Sequence, residues 1–80
     1  MTLAEIEQIY TEGGYVLLDG YDDAIIGIEP YENRLVYNKN KMIEILIEKD
    51  GMDYEEAYEF LEFNVWTAYM GGTTPIYIHA

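Results

Sequence analysis

Eighty residues are enough for one hydrophobic core but not for a second folding unit, and with half of them apolar the chain is no disordered polymer, despite a net charge of -12. Sixteen acids against four bases oppose direct contact with the phosphates of DNA, RNA or anionic lipid. With neither cysteine nor serine, disulfides, thiolate metal sites and the commonest catalytic nucleophiles are excluded.

Thr2-Leu3-Ala4-Glu5 has the form of a capping box, and Leu3, Ile6, Ile9 and Tyr10 follow on one face, predicting a helix over 2–11. No basic segment leads into an apolar one there, and no run approaches the roughly 18 apolar residues of a membrane span, so a cytoplasmic location and no membrane partner are expected. After Gly13-Gly14, the short apolar run Tyr15-Val16-Leu17-Leu18 reads as a strand. Asp19-Gly20-Tyr21-Asp22-Asp23 is a turn. Residues 24–28 and 35–37 are β-rich and are separated by Glu29-Pro30-Tyr31-Glu32-Asn33, so a hairpin over about 24–37 is expected. Within it Asn33 suits a left-handed conformation, and Gly27 marks a bulge or the close approach of a helix.

Apolar positions Met42, Ile43, Ile45, Leu46 and Ile47 predict a largely buried helix over about 39–50, stopped by Asp50-Gly51. Asp53-Tyr54-Glu55-Glu56 forms a second capping-box pattern, and Ala57, Phe60, Leu61, Val65, Ala68 and Tyr69 continue one apolar face, predicting a helix over about 53–70. Tyr10, Tyr54, Phe60, Phe63, Trp66 and Tyr69 are expected to supply core. Thr73-Thr74-Pro75 then leads into an edge strand over about 75–78. The fold class this predicts is α+β, a single domain in which an antiparallel hairpin and a C-terminal edge strand pack against two or three helices.

Chemistry has few places to sit. The only histidine, His79, lies next to the last residue, and no glycine pattern of a nucleotide-binding loop occurs, so no cofactor and no catalytic residue are assigned. Asp19, Asp22 and Asp23 are weak metal candidates, because they lack the alternating ligands and downstream glutamate of a calcium loop. Charge distribution says more than any motif. The four bases, Arg34, Lys39, Lys41 and Lys49, lie between the hairpin and the second helix, and both flanks are purely acidic. Glu55, Glu59 and Glu62 share a helical face at i, i+4 and i+7, a stripe of like charges that weakens its own helix and reads either as a solvated face that keeps the protein soluble or as an acidic docking surface. Carboxylates four residues apart on a helix stand about 6 Å apart, on the scale of successive phosphates in a nucleic-acid strand. Lys39 and Lys41 oppose the dipole of the second helix and are expected to pair with acids of neighbouring elements. Of the nine tyrosines, Tyr21 and Tyr31 fall in predicted turns, where exposed rings act as interface anchors.

Residues 20–28, Gly20-Tyr21-Asp22-Asp23-Ala24-Ile25-Ile26-Gly27-Ile28, followed by Lys41-Met42-Ile43-Glu44-Ile45-Leu46, resemble small acidic uncharacterised proteins of tailed bacteriophages. The likeness continues through Asp50-Gly51-Met52-Asp53-Tyr54-Glu55-Glu56-Ala57, Glu62-Phe63-Asn64-Val65, Ala68-Tyr69 and Thr74-Pro75-Ile76, covering about residues 20–78. It implies the cytoplasm of an infected bacterium and an accessory role in host takeover or counter-defence, and it implies no reaction. The leading expectation is therefore a non-enzymatic protein that binds a host protein with a basic surface through Glu55, Glu59, Glu62, Tyr21 and Tyr31, acting as an inhibitor or nucleic-acid mimic. A self-associating structural protein, as a homodimer for instance, is the alternative. A metal-dependent carboxylate enzyme is third.

Overall fold

Local signals in the first half of the chain become one hairpin and one capped helix. The structure, a computed structural model, describes residues 1–10 and 13–80. Helix α1 (Leu3–Ile9) starts at Thr2, whose hydroxyl accepts from the Glu5 N–H while the Glu5 carboxylate accepts from the Thr2 N–H. Only Ile6 of its apolar face is fully buried; Ile9 is exposed, and Tyr10 ends the helix. The expected extension to residue 11 lies outside the described residues.

Residues 15–18 do not form the expected strand. They run over the core as irregular chain, with Tyr15 and Leu18 packed against it, and the Leu18 N–H donates 2.9 Å to the Tyr37 hydroxyl instead of joining a ladder. A 3₁₀ turn at Asp22–Ala24 leads into strand β1 (Ile25–Glu29), which pairs antiparallel with β2 (Arg34–Asn38). The turn between them is held by the Glu29 carboxylate, which accepts from the N–H groups of Tyr31 and Glu32, and Asn33 takes φ 56°. Gly27 follows an irregularity in the register, and a side chain there would meet nothing within 4 Å, so it marks a bulge and not a helix contact. The amino terminus donates to the carbonyl of Ile26 in this irregularity.

Helix α2 (Lys39–Asp50) begins directly after β2, with the Asn38 side chain accepting from Asn40 and Lys41 N–H groups, and ends at Gly51 with φ 69°. That angle is the left-handed stop that glycine adopts without steric cost. Helix α3 (Tyr54–Leu61) starts at Asp53, which accepts from the Glu56 N–H. It is shorter than the helix predicted over 53–70. From Glu62 to Trp66 the coil widens into a π segment, and residues 68–70 are not helical. Asn64 donates 2.9 Å to the Phe60 carbonyl and Thr67 donates 2.8 Å to the Glu62 carbonyl, so side chains take over backbone acceptors where the α ladder ends. Tyr54, Phe63 and Tyr69, expected in the core, are 56%, 79% and 84% exposed: Tyr54 stands in the first turn of α3, Phe63 on the side away from Ala57 and Leu61, and Tyr69 beyond the helix.

Strand β3 (Ile76–Ile78) lies parallel to β2, giving the sheet order β1-β2-β3 with β3 at an edge. The parallel return from β2 requires a crossover, which α2 and α3 supply. Arg34 Nε donates 2.6 Å to the Thr74 carbonyl and ties down the approach to β3. Ile6, Ala24, Ile25, Leu35, Tyr37, Met42, Ile43, Ile45, Leu46, Ala57 and Leu61 form one core between sheet and helices. The chain is an α+β domain with a three-stranded mixed sheet. Among the described residues no helix is long and apolar enough to cross a membrane.

Candidate functional site

Helix α3 presents two kinds of side chain together. It buries Ala57 and Leu61; Glu55 and Glu59 lie on the opposite side, and Tyr54 and Tyr58 run along the flank between, Tyr54 exposed and Tyr58 partly packed against the core. The four line one shallow groove with almost wholly apolar walls. The Tyr54 and Tyr58 rings stack at 6.3 Å and 24°, and Tyr58 meets Trp66 edge-on at 5.4 Å and 83°. This row exists because the π segment brings Trp66 back over α2, where its Nε1 donates 3.4 Å to the Met42 sulfur. Lys39 Nζ lies 4.6 Å from the centre of the same Trp66 ring.

Of the acidic residues singled out in the sequence, Glu55 and Glu59 meet in the groove. Glu62 falls at the junction with the π segment, beside Tyr58, whose pKa its negative charge raises above the ordinary phenol value. The two turn tyrosines do not join them. Tyr31 is 96% exposed at the hairpin tip, whereas Tyr21, expected to be exposed, is half-buried against the core and has its pKa raised chiefly by that burial. Tyr21 therefore packs as part of the fold.

Asp22 and Asp23 border one depression with Gly20 and Lys49, and Asp19 borders another with Tyr21, Lys49 and Asp50. Among the described residues no three histidine, aspartate or glutamate side chains converge closely enough to hold a metal ion. His79 lies 3.4 Å from the Asn40 side chain at the exposed end of the sheet.

The lysines at the start of α2 are placed differently from expectation. Lys41 pairs at 3.4 Å with Glu44 of its own helix, and Lys39 rests on an aromatic ring, so neither forms an ion pair with an acid of a neighbouring element among the described residues. What sequence reasoning missed is the aromatic half of the α3 surface. Tyr54 and Tyr58 recur at i, i+4 beside Glu55 and Glu59, and that parallel spacing was the signal. No family model matches the chain, and neither a curated protein nor a solved structure matches it significantly.

Proposed function

We propose that the protein is a non-enzymatic binding protein whose α3 face, acidic and tyrosine-lined, docks on a protein with a basic surface. The observation that carries this reading is the internal use of three of the four bases. Arg34 is bound to Thr74, Lys39 to Trp66 and Lys41 to Glu44, while Glu55 and Glu59 pair with no base among the described residues and line an open aromatic groove. A surface with uncompensated charge beside large amphipathic rings suits a partner that supplies the cations, and steering by that field speeds encounter.

Its sharper form is an inhibitor that occupies a nucleic-acid groove of a host protein, with carboxylates in place of phosphates. The resemblance to small phage proteins favours a bacterial host protein in the cytoplasm as the partner. Capture from bacterial lysate by the parent and by a Glu55→Gln/Glu59→Gln/Glu62→Gln variant, with identification of what is retained, tests the reading. A basic protein held by the parent and released from the variant is the expected result; equal recovery by both forms removes the stripe from the mechanism.

Self-association is the second reading. It is favoured by β3, which has a strand on one side only and leaves Ile78 exposed. Light scattering decides it, since a strictly monomeric species at high micromolar concentration rules it out.

A further inference from the structure

The groove on α3 is one end of an aromatic row whose other end already carries a cation. Lys39 Nζ lies 4.6 Å from the Trp66 centroid, Trp66 meets Tyr58, and Tyr58 stacks on Tyr54. The ring quadrupole that attracts Lys39 is a property of any such face, so the chain shows on its own surface how this row is filled. At the other end Tyr54 is 56% exposed, the groove walls are apolar, and Glu55 and Glu59 border them. No base of the described residues lines that groove. The Trp66 end is satisfied from within, and the Tyr54 end is not.

We propose that the Tyr54 end takes an arginine side chain from a basic protein segment, with the guanidinium flat on the Tyr54 ring and donating to Glu55 and Glu59. This rests on the partner-binding reading above and names the group that the partner presents. Arginine suits the site better than lysine for three physical reasons. Its plane stacks on a ring, its weaker hydration lowers the cost of leaving water, and its fork of donors can serve two acceptors at once. The two carboxylates are one helical turn apart, about 6 Å along the axis, a span one guanidinium bridges. A bare acidic stripe would attract either base equally; an aromatic seat discriminates.

The test uses the full chain and two defined probes, the peptides Gly-Arg-Gly-Arg-Gly and Gly-Lys-Gly-Lys-Gly, titrated at low salt and followed by NMR. The arginine peptide should bind more tightly and shift the ring signals of Tyr54 and Tyr58. Tyr54→Leu should weaken the arginine peptide by about 2- to 5-fold and narrow the difference between probes, the loss expected for an exposed cation–π contact. Tyr54→Phe keeps a ring and should retain the preference, which guards against a merely structural effect of the leucine. Equal affinities for the two peptides, no binding of either, or an unaffected Tyr54→Leu would overturn the arginine seat. If Glu55→Gln/Glu59→Gln abolishes binding in that last case, the acidic-face reading stands without it. If instead the glutamine variant binds as the parent does and Tyr54→Leu does not, the carboxylates lose their role and the aromatic seat remains.

Discussion

Tyr37 and Tyr77 sit opposite one another on paired strands, with ring centroids 6.1 Å apart, yet their hydroxyls differ in kind. The Tyr37 oxygen accepts from the Leu18 N–H at 2.9 Å, whereas the Tyr77 hydroxyl is buried with no hydrogen-bond partner among the described residues. Removing the first leaves a part-buried N–H unpaired, so Tyr37→Phe should cost about 1–2 kcal/mol; removing the second leaves nothing behind, so Tyr77→Phe should be neutral or stabilise by up to about 1 kcal/mol. Urea denaturation of both variants reads the opposite signs directly, and an equal loss in both would mean that the Tyr77 hydroxyl is bonded after all. The same residues set the alkaline limit. Burial pushes the Tyr77 hydroxyl up to about 12 from its ordinary 10.0, and burial also raises that of Tyr37. The unfolded chain releases these protons first, so the folded state binds more of them between the two values. Stability should hold below about pH 10 and fall as the pH rises toward about 12, and Tyr77→Phe should make that fall shallower in alkaline titrations followed by circular dichroism and phenolate absorbance.

The third helix shows how an element can be half legible. Its start follows from Asp53 and the apolar positions Ala57 and Leu61, all local, and the hairpin and α2 likewise rest on turn residues and spacing within a dozen positions. Its end does not. Nothing in the spacing of Val65, Ala68 and Tyr69 announces that Asn64 and Thr67 will bond the carbonyls of Phe60 and Glu62, or that Trp66 will be held by Met42 and Lys39, 24 and 27 positions away. The strand expected over residues 15–18 is absent for the same reason, because the group that receives Leu18 is a side chain on β2. The candidate site divides along this line. Glu55 and Glu59 were visible as an i, i+4 pair, but the row of rings beside them is completed by the π segment. Two substitutions probe this segment. Asn64→Ala should lose about 0.5–1 kcal/mol and alter the near-ultraviolet dichroism of Trp66, since the bond to Phe60 helps hold the widened turn. Phe63→Ala should change stability by less than about 0.5 kcal/mol, the usual bound for an exposed position, although its size and apolarity alone would place it in the core.

Across the whole molecule, charge acts on folding and on binding with opposite signs. Sixteen acids face four bases, and the only ion pairs among the described residues are Arg34 with Glu32 at 3.9 Å and Lys41 with Glu44 at 3.4 Å, neither of them buried. The molecule measures 37 × 23 × 20 Å. At about 0.01 M salt the screening length is about 30 Å, so nearly every carboxylate feels the others; at about 1 M it is about 3 Å and they are independent. Salt should therefore raise the melting temperature, by about 4–8 °C for each kcal/mol of repulsion relieved. The same screening removes the attraction between the α3 face and a cationic partner, so affinity should fall over the range in which stability rises. Replacing Glu55, Glu59 and Glu62 by glutamine removes three negative charges from the net -12 and should mimic salt on both counts, raising the melting temperature at low salt and weakening the partner. A surface kept acidic for solubility alone predicts the first change without the second. Thermal melts and partner titrations on the same two proteins, each across the salt series, therefore decide whether the repulsion retained on α3 is tolerated for what it binds.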